Sequence, residues 1–286
     1  MSDRPPAPEI LYRDDALCAV MKPAGLAVHR GWAVAPHYAL DLVRDAVGQR
    51  VYPVHRLDQP TSGVLVFALN PETASTLGQT FSAHAVDKYY LALTRGVPPA
   101  ELRLDHPVKD EDGTRRAAVT HLRRLWVFQK RYTLVACRPE TGRTHQIRRH
   151  LKHLSCPIIG DTSYGKSEHN RLFATEHGLA RLALHAIAIG FAHPITGEPL
   201  LVQAPLPEDL RVPLLAIGCP PDLLATPPPF GGPSSVRPRP VVSVAPVAPV
   251  ASVTAHDQLP SEVPFDPAVA GGSRPSPAPA PDPEAA

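Results

Sequence analysis

Up to about residue 218, apolar positions fall into short runs broken by Gly, Pro, Asn and Asp. Ile10-Leu11-Tyr12 and Leu17 to Met21 flank Asp14-Asp15, the pattern of two strands joined as a hairpin. Between Tyr38 and Val47 the apolar residues Leu40, Leu42, Val43, Ala46 and Val47 predict a short amphipathic helix. Val51 to Val54 and Val64 to Ala68 again read as strands. Asn70-Pro71-Glu72 combines a capping side chain, a first-turn proline and an acid at the positive end of a helix. The predicted helix runs to about His84. Lys88 to Thr94 reads as a strand, which sends Tyr89 and Tyr90 to opposite faces. Ala118 to Trp126 and Tyr132 to Cys137 form a strand pair joined near Phe128-Gln129-Lys130. Beyond a Thr141-Gly142 turn, Thr144 is placed to cap a helix whose Ile147, Leu151 and Leu154 share one face.

Composition divides the 286-residue chain unequally. Of 36 prolines, 18 lie in residues 1–218 and 18 in residues 219–286. The second segment has no Lys, few aromatics and repeated Ala-Pro and Val-Pro steps. It has too little apolar surface to offset the entropy of ordering. One folded domain over 1–218 and a disordered tail over 219–286 are therefore expected. The formal charge of +2 splits into +5 for the body (26 basic, 21 acidic) and −3 for the tail (3 basic, 6 acidic). From Gly113 to His153 there are eleven Lys and Arg but one acid, Glu140, a field suited to a polyanion or a solvated face.

Cys18, Cys137, Cys156 and Cys219 show no paired spacing, which favours reduced thiols over disulfides or a zinc framework. Met-Ser-Asp-Arg-Pro-Pro offers no apolar core for a signal peptide. No apolar run reaches the roughly 20 residues of a membrane span. A soluble cytoplasmic protein, without a membrane partner, is the expectation.

Two stretches carry candidate chemistry. His55-Arg56-Leu57-Asp58-Gln59-Pro60-Thr61-Ser62-Gly63 is a loop between two strands, where side chains are held in fixed directions. Taken alone, Asp58 there could simply cap a turn. In Thr141-Gly142-Arg143-Thr144-His145-Gln146-Ile147-Arg148, Arg143 and Arg148 stand near the start of the predicted helix, where the dipole disfavours cations. A nearby anion would explain them. His145, His150 and His153 are candidate metal ligands, and His150 and His153, three apart, could share a helical face, but no Cys or carboxylate joins them at ligand spacing, so no metal site is predicted. No nucleotide or nicotinamide motif is present, and no cofactor is expected.

The first stretch closely resembles the His-Arg-Leu-Asp-x-x-Thr-Ser-Gly signature of the RluA-type pseudouridine synthases. The second resembles that family's Thr-Gly-Arg-x-His-Gln-Ile/Leu-Arg. Lys22-Pro23-Ala24-Gly25, Pro157-Ile158-Ile159-Gly160-Asp161 with Tyr164-Gly165, Leu184-His185-Ala186 and His193-Pro194 match further motifs in order, from about Ile10 to Leu206. Val28-His29-Arg30 and the run from Gly142 to His153 are most similar to a tRNA-modifying branch. The resemblance implies a mixed α/β (α+β) domain around a largely antiparallel sheet flanked by helices, acting on RNA, in particular tRNA, with ribosomal RNA as the alternative substrate. It implies isomerisation of uridine to pseudouridine, with Asp58 the catalytic carboxylate, Arg148 its partner and Tyr90 the group that packs on the uracil. It extends substrate binding to His55, Arg56, Thr61 and Arg143, and a monomer is expected. A non-catalytic RNA-binding protein on the same fold would explain the basic charge, but not why Asp58, Tyr90 and Arg148 match together.

Overall fold

The structure, a computed structural model, describes residues 4–30, 35–110 and 112–224. In chain order the elements are β1 (Glu9–Arg13), β2 (Leu17–Lys22), α1 (Ala39–Val47), β3 (Tyr52–Pro53), β4 (Ser62–Ala68), α2 (Pro71–Ser82) and β5 (Asp87–Arg95). They continue as β6 (Glu101–Asp105), β7 (Val108–Lys109), β8 (Arg115–Arg116), β9 (Val119–Phe128), β10 (Tyr132–Pro139) and α3 (Gln146–His153). The last are α4 (Ser167–His177), β11 (Leu184–Ala192), β12 (Pro199–Gln203), α5 (Glu208–Ala216) and a 3₁₀ turn over Pro221–Leu224.

Ten strands form one mixed sheet in the order β1-β2-β4-β11-β5-β10-β9-β6, with β12 on β11 and β3 on β4. Its pairings are antiparallel except β4 with β11. β11 lies between β4 and β5, which explains why Leu-His-Ala-Ile-Ala-Ile-Gly-Phe is buried from end to end instead of alternating. The parallel contact is close: a Cβ on Gly63, which sits at φ +124°, would collide with the Ala186 backbone. The hairpin, the two early helices and the β9–β10 pair fall where the sequence places them. Asn70 caps α2 by accepting from the Thr73 N–H at 2.8 Å. Gln129 and Lys130 turn β9 into β10 with left-handed φ of 50° and 55°.

Two expectations change. The cap of α3 is His145, not Thr144; His145 is left-handed (φ 56°, ψ 24°), and no side chain caps the helix. The packed chain also continues past Gly218: Cys219 and Leu224 are buried in the same core cluster as Leu91, Ile147, Leu151 and Leu214. Apolar residues just inside a proline-rich stretch are enough to dock its first turn. The remainder of the expected tail, 225–286, lies outside the described residues. All four cysteines are buried and free. Among the described residues no helix is long and apolar enough to cross a membrane.

Candidate active site

One cross-strand row organises the site. Gly63 of β4 pairs with Ala186 of β11, Ala186 with Tyr90 of β5, and Tyr90 with Cys137 of β10. Neighbouring strands are about 4.8 Å apart, so Tyr90 stands about 10 Å from the end of the loop that carries Asp58. The phenol of Tyr90 is pushed well above its ordinary pKa by burial, and the Asp58 charge adds to the shift. Tyr90 is therefore a neutral ring close to that carboxylate.

The loop from His55 to Gly63 is held from several sides. The Thr61 N–H donates to the Asp58 carbonyl at 3.0 Å, closing a turn beneath the carboxylate. His55 Nε2 accepts from the Val66 N–H at 3.0 Å, and its ring stacks on Phe81 at 4.9 Å. Burial and the nearby Lys88 charge press the His55 pKa down to about 3, so the imidazole is neutral. Lys22 is fully buried and donates to the carbonyls of Pro23 (2.9 Å), Leu26 (2.7 Å) and Gln59 (3.1 Å). Burial and Arg181 lower its pKa to about 7 against the pull of Asp58. Three carbonyl acceptors account for all three ammonium protons, so the clamp on Gln59 needs the charged form. Ser62 accepts from Arg181 Nη2 at 2.7 Å and therefore donates to His185 Nδ1 at 2.8 Å; His185 Nε2 then donates to the Ala204 carbonyl at 3.1 Å. Ser62 and His185 are thus a closed structural network, with no exposed nucleophile.

The second stretch approaches from α3. Arg148, 4% exposed, donates Nη1 to Asp58 Oδ2 at 3.2 Å. Its Nε and Nη2 donate to Asp161 at 2.8 and 2.9 Å. Asp161 is buried, which alone would raise its pKa; the Arg148 guanidinium and the N–H groups of Tyr164 and Ser163 prevail and hold it low. Arg148 is therefore fixed by one carboxylate and presented to the other. α3 itself is positioned by Gln146. Its Oε1 accepts from Thr141 Oγ1 (2.7 Å) and the Arg143 N–H (3.0 Å), while Nε2 donates to the Val119 carbonyl and Thr120 Oγ1 (2.9 Å each). His150 is a core residue, bonded to Thr120 Oγ1 at 2.9 Å and the His106 carbonyl at 2.8 Å, and so has no nitrogen left for a metal.

Asp58, Arg148 and Tyr90 thus come together. Arg56 is exposed on the loop, and Arg143 is exposed with Nε donating to the Ala117 carbonyl at 3.2 Å. His55 and Thr61 lie on the same loop: one ring nitrogen of His55 accepts from β4, and the Thr61 hydroxyl is buried without a partner. Asp161 and Lys22 were legible only as motif letters; an acid next to Pro157-Ile158-Ile159, all buried, was the available signal that Asp161 is an interior charge needing a cation. A cavity of about 330 Å³ lined by Arg95, Arg131, Lys166, Ser167, Glu168 and His169 shares no residue with this site.

Residues 16–153 match the family described as RNA pseudouridylate synthase. The tRNA pseudouridine synthase C of Vibrio cholerae is 42% identical over 223 residues, 70% of this chain and 91% of that protein. That of Pasteurella multocida is 44% identical over 219 residues, 68% of this chain and 90% of its own length. The chain belongs to the RNA pseudouridylate synthase family. It is accordingly an isomerase that converts uridine in RNA to pseudouridine. Among solved structures, human RNA Pseudouridylate Synthase Domain Containing 4 superposes with a TM-score of 0.62 at 28% identity, covering 73% of this chain and 92% of that one. The synthase therefore has the fold that the motif resemblance implies.

Proposed function

We propose that this synthase isomerises a uridine of transfer RNA, with Asp58 as the reacting carboxylate, Arg148 as its charge partner and Tyr90 as the surface on which the uracil packs. One observation carries the assignment: Arg148, buried and locked by Asp161, offers its remaining nitrogen to Asp58 at 3.2 Å. The isomerisation breaks the N1–C1′ bond, turns the uracil within the site, and joins C5 to C1′; the C5 proton is lost and N1 gains one. Asp58 acts at the ribose, as nucleophile or as base, and either role requires it ionised. The neutral ring of Tyr90 can hold a base that has left its stack, and Arg56 is exposed where it can support the RNA around the gap. Similarity to relatives named for tRNA supports that substrate over ribosomal RNA. The same reading places a monomeric enzyme in the cytoplasm.

Asp58→Asn keeps the shape and removes the charge. Under single-turnover conditions the variant should bind the transcript and form no pseudouridine; substantial product would end the assignment of Asp58. Pseudouridine mapping in total RNA from cells with and without the gene should show a missing tRNA position, whereas a missing ribosomal position would overturn the substrate.

A further inference from the structure

We propose that His145 is a positioning residue for Asp58, held in one tautomer by Tyr164 so that its Nε2–H faces the carboxylate. The inference rests on the role of Asp58 proposed above. The backbone is the first observation. Thr144 would make an ordinary cap for α3, yet the chain places His145 there in the left-handed region, at φ 56°. That conformation disfavours a side chain with a Cβ, although His tolerates it better than most. It brings the imidazole Nε2 to 3.8 Å from Asp58 Oδ2.

The second observation is the hydroxyl of Tyr164. Arg149 Nε, which can only donate, gives it a hydrogen bond at 2.9 Å. The hydroxyl proton then has His145 Nδ1 as its acceptor at 3.0 Å. With Nδ1 accepting, the ring proton is on Nε2, the nitrogen that faces Asp58. The tyrosine ring is itself fixed, stacked under the Arg148 guanidinium at 5.1 Å and edge-on to His145 at 5.6 Å. Arg149, Tyr164, His145 and Asp58 thus form a chain in which each member orients the next.

The charges around the imidazole are Asp58 and Asp161 against Arg148 and Arg149, and burial leaves it neutral at pH 7. A neutral donor steers a carboxylate without adding a second cation that would blunt its reactivity. Arg148 and His145 both address Oδ2, and among the described residues no donor occupies Oδ1. Oδ1 is thereby left to act at the ribose. At 3.8 Å the imidazole contact is longer than a hydrogen bond, and contacts of this kind close when substrate fills the cleft.

Single-turnover rate, RNA affinity and melting temperature of His145→Phe, His145→Gln, Tyr164→Phe and the His145→Phe/Tyr164→Phe pair test the proposal. His145→Phe should lower the rate about tenfold to a hundredfold with affinity and melting temperature unchanged. His145→Gln, which can return an N–H near the position of Nε2, should recover much of that loss. Tyr164→Phe should lower the rate less, and add nothing in the His145→Phe background. A wild-type rate in His145→Phe, a loss that follows affinity or melting temperature, no recovery with Gln, or additive losses in the pair would overturn it. If Asp58→Asn is inactive while His145→Phe is fully active, this inference fails and the assignment of Asp58 stands; an active Asp58→Asn removes both.

Discussion

At the residue scale, Arg148 has two unequal duties. It neutralises Asp161, which is 1% exposed, and it supports Asp58, which keeps some solvent contact. Removing one partner of a buried pair costs about 3–5 kcal/mol, because the other charge stays buried alone. Arg148→Met should therefore lower unfolding free energy by about that amount, whereas Asp58→Asn should change it by about 1 kcal/mol or less; urea melts of the two variants make the comparison. Histidines supply a pH dependence. Burial pushes His185 down to about 4 and His55 to about 3. In the unfolded chain each titrates near 6.5. As pH falls below about 6.5 the unfolded state takes up protons that the folded state refuses, so stability is present above that pH and declines below it. Each histidine contributes up to about 1.4 kcal/mol per pH unit in that window. Melts at pH 7.5 and 5 should show the decline, and His185→Asn, weaker at the outset, should fall less across the interval.

At the scale of elements, the helices divide by where their signals reside. α1 and α2 were legible because periodicity and the Asn70-Pro71 start are local properties of the chain. α4 was not, because only His169 and Phe173 of its eleven residues are buried, too thin a stripe to declare a helix. The start of α3 departs from its local pattern for a different reason: Gln146 reaches β9 and the preceding loop and anchors the helix by tertiary hydrogen bonds that no local pattern shows. Gln146→Leu would strand several buried donors and acceptors at once. A destabilisation of about 2–4 kcal/mol is expected, together with a fall in single-turnover rate, because α3 carries Arg148 and is capped by His145. Calorimetry alongside the rate assay would show whether the two effects go together.

At the scale of the whole molecule, the basic run from Gly113 to His153 is not one surface. Alternation along β9 and β10 separates its members. Arg123 meets Glu101 at 3.5 Å, Arg124 donates to the Pro98 carbonyl at 3.1 Å, and Arg138 lies 3.4 Å from Asp87. Arg115 and Arg143 are exposed, as Arg124 is, but they lie on β8 and on the loop before α3, beside the elements that form the site. Arg115→Ala with Arg143→Ala should weaken RNA binding and reduce the salt slope by about 0.7–0.9 for each phosphate that is no longer neutralised. Arg124→Ala should leave the slope unchanged; equal slopes for all variants would mean that RNA docks elsewhere. The core also fixes where a shortened chain should end. Cys219 and Leu224 are buried, so a protein ending at Gly218 should melt lower than one ending at Leu224. The latter is expected to match the full chain in melting temperature and turnover, an expectation drawn from the proline-rich composition of residues 225–286.

The sequence by itself determined strands β1 to β5, β9 and β10 and the early helices, the change of composition near residue 219, and the residues Asp58, Tyr90 and Arg148 that the motifs mark. These are one-dimensional properties: side-chain period, turn chemistry and residue identity at fixed spacing. The tertiary structure alone decided which groups share the site. Asp161 and Asp58 lie 103 positions apart, yet both bind Arg148, because β4, β11 and β5 lie side by side and α3 packs against β10 and is hydrogen-bonded to β9. It also decided that His55, Ser62 and His185 bond to the neighbouring strands and so brace the loop, and that His145 turns toward Asp58. Hydrogen-bond partners are chosen by proximity after folding, and a sequence states only which atoms are available to be chosen.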